Sequence, residues 1–401
     1  MAAVLRADVV TSSRRGHDGL SGGLRRGKRA SMLRETRVQQ ARDNAMPNLY
    51  QPVSLGAIEC ANRVIMAPMT RNRASAGNVP NELMAAYYRQ RVGAGLIISE
   101  ATQVIAEGQG YPYTPGIHSE DQVAGWKLVT DTVHAAGGKM VLQLWHVGRI
   151  SHPVFQPGGK LPVAPSAVAP KGQIYGMDWK KIDYVTPRAL ELSELPGIVD
   201  AFAKGAELAK RAGFDGVEVH GANGYLLDEF LRDGTNKRTD VYGGSPQNRA
   251  RLLLETVDAV VKVWGAERVG VRLSPHNPNN DMSDSDPVAT FGYVAKALTG
   301  KRLAYIHLME GADTPPEQQL LGLYKATCGS PIVVNWAYDR ETAEAVVREG
   351  RADAVAFAKL FLANPDLPKR LQAGAPLNAW DMKTFYGGGE KGYTDYPALA
   401  G

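Results

Sequence analysis

The sequence has few cysteines and no long apolar run, and each shortage excludes classes of protein. Its 401 residues contain two cysteines, Cys60 and Cys328, which are too far apart in the chain to indicate a disulfide framework or a metal site. No apolar stretch approaches the roughly 18 residues that cross a bilayer, and the N-terminus lacks the apolar segment of a secretory signal. We therefore expect a cytoplasmic protein with no metal and no membrane partner.

Net positive charge is also absent once the first 45 residues are set aside. These carry ten Arg and Lys against four acids, so a balance of +6 in this arm leaves about −1 for the rest of a chain whose net charge is +5. Such a composition predicts disorder for most of residues 1–45. Three interpretations stay open: an organelle-targeting peptide, a basic arm that binds nucleic acid, or an upstream extension before a functional start at Met46. We favour the extension and expect no nucleic-acid partner.

What the sequence does have is a regular alternation of short β-branched runs with segments of helical period. The strand candidates are residues 63–69, 96–102, 140–146, 216–222, 269–275, 305–311, 331–337 and 354–360. Helical periods include residues 81–92, 120–136, 195–212, 247–264 and 340–349. Alternating strands and helices imply parallel pairing, so eight units predict an α/β fold of the (β/α)₈ TIM-barrel type, with residues 46–401 as a single domain. A doubly wound open sheet is the alternative.

Polar residues cluster where the predicted strands end. Barrel enzymes place their active sites at these ends, and polar groups inside a barrel are costly unless they meet a ligand or partner. Any one of them is more often a satisfied core group, but several on one face of the barrel favour a site. The residues are Thr70, Gln143, His146, His220, Asn223, Tyr225 and Arg272.

Longer motifs around these residues resemble the old yellow enzyme family of flavin-dependent ene-reductases, over residues 47–400. They are NRVIMAPMTRNRA (62–74), LQLWHVGR (142–149), VEVHGANGYLLDEFLRDGTNKRTDVYGGS (217–245), VGVRLSP (269–275), NPDL (364–367) and FYGGGEKGYTDYP (385–397). The resemblance implies FMN, held without a covalent bond at the barrel mouth. It also implies NADPH or NADH as reductant, and an electron-poor alkene as oxidant. One branch of the family has Cys at the position of Thr70. With Thr there, the sequence resembles the branch of bacterial pentaerythritol tetranitrate and N-ethylmaleimide reductases.

The resemblance also implies roles for single residues at the cofactor. Thr70 would donate its hydroxyl to the flavin O4, in a segment that includes Pro68 and Met69, and Ala101 would offer its backbone to the ring edge. The pyrimidine end would be bound by Gln143 and Arg272, whose guanidinium can stabilise negative charge on reduced flavin.

The substrate groups follow from the same resemblance. His220 and Asn223 would donate to one carbonyl oxygen and stabilise the charge that develops when hydride reaches the β-carbon. Tyr225 would protonate the α-carbon from the opposite face, which makes the addition anti. Trp145 and Tyr386 would form aromatic walls around the substrate; core packing is the alternative for Trp145, and a rim aromatic the alternative for Tyr225.

The sequence departs from the family at the expected phosphate site. The seventh strand ends in Asn335, Trp336 and Ala337, where glycine is more usual, and Ala358 and Lys359 stand where the family usually has Gly-Arg. Alanine adds a Cβ where amides should approach a phosphate, and lysine lacks the bidentate fork of arginine. We therefore expect FMN binding that is weaker or more salt-sensitive than is typical of the family.

Two other functions remain open from the sequence alone. A reductase of nitro compounds or nitrate esters would use the same barrel and cofactor, so the residues cannot separate it from an ene-reductase. A barrel that binds a ligand without turnover is disfavoured by the intact set of polar residues. We expect a monomer or a homodimer.

Overall fold

Eight parallel strands close into a barrel, as the alternation of strand and helix predicts. In chain order they are β1 (Val64–Met66), β2 (Leu96–Ile98), β3 (Met140–Trp145), β4 (Gly216–Gly221), β5 (Val269–Leu273), β6 (Tyr305–Met309), β7 (Ile332–Asn335) and β8 (Ala354–Phe357). Each strand pairs with the next, and β8 pairs with β1 to complete the circle. The structure, a computed structural model, describes residues 46–311 and 313–400, so the predicted N-terminal extension lies outside the described residues.

Helices follow the strands and cover the outside of the barrel. They are α1 (Glu82–Arg89), α2 (Glu120–Ala135), α3 (Leu195–Arg211), α4 (Leu226–Leu231), α5 (Pro246–Arg249), α6 (Arg251–Trp264), α7 (Pro287–Ala297), α8 (Leu321–Thr327), α9 (Arg340–Arg348), α10 (Lys359–Ala363) and α11 (Leu367–Ala373). Side-chain caps begin several of them. Ser119 accepts from the Gln122 amide at the start of α2, and Asp339 accepts from the Thr342 amide at the start of α9.

The lower half of the barrel interior is apolar and sealed. An antiparallel hairpin, Val53–Leu55 with Ile58–Cys60, lies below the strands, and its side chains join one buried cluster with those of β1, β2, β7 and β8. Gly270 on β5 leaves room for the ring of Tyr305, since a Cβ there would lie 2.4 Å from the ring. Burial raises the pKa of Cys60 to about 12, as expected of an inert core thiol.

The loops at the upper end contain more structure than the sequence predicts. The second strand resumes as Thr102–Gln103, which pairs with the end of β3. The Ser99 N–H still donates to the Val141 carbonyl at 3.0 Å, so the break in the barrel ladder lies at Glu100 and Ala101. The long connection between β3 and α3 adds a hairpin, Gln173–Tyr175 with Lys181–Asp183, and a parallel pair, Val163–Ala164 with Arg188–Ala189. These segments build walls above the strand ends.

Candidate active site

The carboxyl ends of the strands open into a cavity of about 950 Å³, large enough for a cofactor together with a small ligand. Its lining comes mainly from the loops that follow β1, β3, β4, β5, β7 and β8 and from the segment before the C-terminus. Most of the predicted site residues lie in it: Pro68, Met69, Thr70, Asn223, Tyr225, Arg272, Asn335, Trp336, Ala337, Ala358, Lys359 and Tyr386.

The other predicted residues, Ala101, Gln143, Trp145 and His220, are buried and do not line the cavity. Ala101 lies in the break between β2 and its continuation, where its backbone is not committed to the sheet. Trp145 packs with Ala101 and Tyr225 in a small cluster beside the cavity. The structure therefore brings the predicted residues to one end of the barrel, where these four lie behind the cavity wall.

Glu218 is a buried carboxylate on β4, which lies between β3 and β5, the strands that carry Gln143 and Arg272. Its oxygens accept from Gln143 Nε2 at 2.7 Å and bond to His307 Nδ1 at 2.9 Å. Burial alone raises the pKa of Glu218, but His307, Arg272 and Gln143 outweigh it, so this pKa lies below its ordinary value. Burial lowers the pKa of His307, and the neighbouring carboxylate of Glu218 partly opposes this effect.

Arg272 projects from β5 beside this pair. Its Nη2 donates to Asn335 Oδ1 at 3.1 Å, and the amide of Asn335 donates to the Ala356 carbonyl at 2.7 Å. Its Nε is buried and has no hydrogen-bond partner among the described residues. A buried guanidinium with a donor still to satisfy is suited to an acceptor on a bound molecule.

His220 sits at the end of β4 between two aromatic rings. The ring of Trp145 lies 6.5 Å away and nearly parallel, and that of Tyr225 lies 5.1 Å away and edge-on. Burial, with the nearby Arg272 and His307, holds the pKa of His220 well below its ordinary value. The imidazole is therefore neutral near pH 7 and can donate one N–H.

Asn223 follows in a tight turn that needs a left-handed backbone. Its φ is 60°, a conformation that asparagine tolerates better than most residues. Its backbone N–H donates to Ser274 Oγ at 2.7 Å, and its backbone carbonyl accepts from Asn280 Nδ2 at 2.7 Å. The turn is thereby fixed to the loop that follows β5.

Tyr225 lies where the turn passes into α4. Its hydroxyl is 3.2 Å from the hydroxyl of Tyr111, and its ring meets Trp145 edge-on at 4.9 Å. Burial raises the pKa of Tyr225, partly opposed by the contact with Tyr111, so the phenol keeps its proton at neutral pH.

The charges around the cavity suit an anionic cofactor such as FMN. Its described lining contains Arg71, Arg272 and Lys359 and no Asp or Glu. Trp336 and Ala337 have φ values of 99° and 55°, so the loop after β7 adopts a shape that glycine would take without strain. The residues present therefore fit FMN, although two side chains occupy backbone positions better suited to glycine.

Tyr386, 57% exposed, stands on a C-terminal segment that two arginines tie to the loop after β1. Arg71 donates to the Phe385 carbonyl at 2.9 Å and to that of Gly392 at 2.7 Å. Arg73 donates to the Gly389 carbonyl at 3.0 Å. The loop that carries Thr70 and the wall that carries Tyr386 are thus one hydrogen-bonded unit.

Several residues of the site were not predicted from the sequence. Glu218, Asn277, Asn280, Tyr111 and Tyr184 all contact predicted residues or line the cavity. Side chains alternate between the two faces of a strand, so Glu218 lies on the same face of β4 as His220, which follows two residues later. This alternation is the sequence signal that could have located Glu218. The others lie on loops, and no periodic pattern locates them.

Neither a metal site nor a membrane span is found in the part of the chain that the structure describes. No group of three or more His, Cys, Asp or Glu side chains within residues 46–311 and 313–400 could hold a metal ion. Over the same residues, no helix combines the length and the apolar character needed to cross a bilayer.

Together, these features define a TIM-barrel oxidoreductase with a cationic, aromatic mouth suited to a flavin. The profile of the NADH:flavin oxidoreductase / NADH oxidase family matches residues 48–378. The chain belongs to this FMN-dependent family, the flavoenzymes of old yellow enzyme type.

Individual relatives agree with that assignment. The chain is 45% identical over 360 residues to 12-oxophytodienoate reductase 1 of Oryza sativa subsp. japonica, which covers 88% of this chain and 93% of the relative. A structure of morphinone reductase in complex with tetrahydroNAD has a TM-score of 0.85 at 50% identity, covering 88% and 98% of the two chains. The old yellow enzyme homologue of Zymomonas mobilis has the same TM-score at 45% identity, covering 88% and 100%.

Proposed function

We propose that the protein is an NAD(P)H-dependent ene-reductase that acts on α,β-unsaturated ketones and aldehydes. Bound FMN supplies the hydride carrier between the nicotinamide and the alkene. The observation that carries the proposal is the convergence of three side chains. The side-chain amide of Asn223 and a protonated Tyr225 line the cavity, and a neutral His220 is buried directly behind them, with its ring 5.1 Å from that of Tyr225. Two neutral donors and one separate acid are what conjugate reduction of an enone requires.

At the cofactor, the side chains would divide the work by position. Arg272 and Gln143 would hold the pyrimidine end. The Arg272 Nε lacks a partner, and Gln143, whose Nε2 donates to Glu218, keeps its Oε1 to accept from a flavin N–H. Thr70, on the loop after β1, would donate its hydroxyl to the flavin O4. Lys359 and the amides near Ala337 would receive the phosphate.

At the substrate, His220 and Asn223 would donate to the carbonyl oxygen. This polarises the conjugated double bond and stabilises negative charge on the oxygen as hydride arrives at the β-carbon. Neither donor has to change its protonation state, so the stabilisation is ready before the reaction. Tyr225 would then give its phenolic proton to the α-carbon.

Purified protein provides the test. A yellow protein whose flavin absorbance is bleached anaerobically by NADPH and restored by 2-cyclohexenone would support the proposal. A colourless protein that cannot be reconstituted with FMN would overturn it. If a nitrate ester restores the absorbance far faster than the enone, the same barrel serves nitrate-ester reduction instead.

A further inference from the structure

The side chain of Asn223 is oriented by a second asparagine on a neighbouring loop. Asn277 Nδ2 donates to Asn223 Oδ1 at 2.7 Å. Together with the bonds from the Asn223 backbone to Ser274 and Asn280, this contact uses the N–H, the carbonyl and the side-chain oxygen of Asn223. The side-chain nitrogen is left over, and no group among the described residues accepts from it.

The direction of that bond decides what Asn223 presents to the cavity. A carboxamide turned by half a rotation exchanges its donor and its acceptor at nearly no cost in shape. With its oxygen bound to Asn277, Asn223 offers N–H to the cavity that it lines. In the opposite orientation it would offer an oxygen, which repels a carbonyl oxygen.

Asn277 is itself held in place. It is only 7% exposed, its Oδ1 accepts from the Asn279 amide at 3.0 Å, and its backbone carbonyl accepts from Arg232 Nη1 at 3.0 Å. Because its oxygen already serves the turn, its nitrogen is the atom that faces Asn223. The turn therefore fixes the orientation of the Asn277 side-chain amide, and Asn277 fixes that of the Asn223 side-chain amide.

We propose that Asn277 is a positioning residue that fixes the amide of Asn223 as a hydrogen-bond donor towards the substrate carbonyl. This inference rests on the proposed ene-reductase function. Asn277 would not touch the substrate, and its contribution would pass entirely through Asn223. It belongs to the loop after β5, a different segment of the chain from the strand and turn that carry His220 and Asn223.

Two substitutions of Asn277 separate orientation from simple support of the loop. Asn277→Asp keeps the size of the side chain and the acceptor for the Asn279 amide, but it can only accept from Asn223. The Asn223 amide would then turn its oxygen to the cavity. Asn277→Ala removes the partner and leaves the amide free to rotate when a ligand binds.

We expect the aspartate variant to be the more damaged of the two. Loss of one preorganised donor to a developing oxyanion costs on the order of 10²-fold, so Asn277→Asp should weaken binding of p-chlorophenol and slow reoxidation of reduced flavin by 2-cyclohexenone by about that factor. Asn277→Ala should cost less than about tenfold, the scale of one neutral hydrogen bond. Dioxygen has no carbonyl group for Asn223 to bind, so the rate at which it reoxidises the reduced flavin should be unchanged in both variants.

An alanine variant as impaired as the aspartate variant, or an aspartate variant that behaves like wild type, would overturn the role of Asn277. Should Asn277→Asp retain no flavin, the Asn277→Ala and Asn223→Ala pair decides, because their effects on phenol binding must be non-additive. Additive losses would refute the inference. A wild-type protein whose reduced flavin 2-cyclohexenone does not reoxidise would instead overturn the proposed function itself.

Discussion

Gln143 donates its side-chain N–H to the carboxylate of Glu218 across 2.7 Å, inside the barrel and below the site. Glu218 is fully buried and also offsets the charge of Arg272, which is 6% exposed. One carboxylate therefore orients one predicted flavin ligand and compensates another.

We expect Glu218→Gln to destabilise the fold, because it leaves a buried guanidinium without its counter-charge. Leaving a buried polar or charged group uncompensated typically costs about 1–3 kcal/mol in the free energy of unfolding. Denaturant unfolding of the FMN-loaded protein measures it, with the exposed Glu207→Gln as control. The same variant should raise the reduction potential of bound FMN, since an uncompensated Arg272 favours negative charge nearby. Stability and potential both equal to wild type would contradict this role.

The fold could be predicted from the sequence because its signals are local. The barrel type is confirmed, and each of the eight predicted runs contains one strand of the barrel. The predicted site residues came from motifs at the strand ends, and most line the cavity. Their partners could not be predicted in the same way: Glu218 and Gln143 are 75 positions apart, and Asn277 and Asn223 are 54 apart. Such contacts depend on how loops and strands meet in space, and no single-sequence pattern encodes that.

The two proposed donors to the substrate carbonyl, His220 and Asn223, form a substrate clamp that gives a second prediction. Replacing both His220 and Asn223 with alanine should lower the rate of enone reduction by at least about 10²-fold, because both oxyanion donors are lost. FMN content should be unchanged, since neither side chain is predicted to bind the cofactor. His220→Asn is the matched control: it keeps a donor and should stay within about tenfold of wild type. A double variant with the wild-type rate would remove the clamp from the mechanism.

Tyr225 can be tested as the proton donor. Tyr225→Phe removes the hydroxyl, so the rate of alkene reduction should fall by about 10²-fold or more. Anaerobic flavin reduction by NADPH should keep its rate, because no proton from Tyr225 is needed there. Tyr184→Phe is the control, since Tyr184 lines the same cavity and belongs to the same cluster. An unchanged alkene rate in Tyr225→Phe would mean that solvent or another group supplies the proton.

The pKa shifts of His220 and Tyr225 predict that neither residue titrates near neutral pH, so neither should shape the pH profile of enone reduction there. Burial lowers the pKa of His220 and raises that of Tyr225, so the imidazole stays neutral and the phenol protonated between about pH 7 and about pH 9. Rapid mixing of reduced enzyme with 2-cyclohexenone should give a rate constant that is flat over this range. Loss of activity from His220 protonation should begin only well below the pH of about 6.5 at which an exposed histidine titrates. An inflection at that pH would show that His220 is not buried in the way described.

The loops after β7 and β8 lead to a prediction about cofactor retention. Lys359 is exposed, and its ammonium lies 6.0 Å from the ring of Trp380, so its attraction for a phosphate is open to screening by salt. We expect the FMN dissociation constant to rise with ionic strength. Lys359→Arg should tighten binding through bidentate bonds, and Lys359→Gln should weaken it by about tenfold and flatten the salt dependence. Lys383→Gln, exposed on the C-terminal segment and outside the cavity lining, is the control. Tight binding that is indifferent to salt would mean that the backbone amides near Ala337 hold the phosphate without help from Lys359, despite the strain shown by the positive φ values of Trp336 and Ala337.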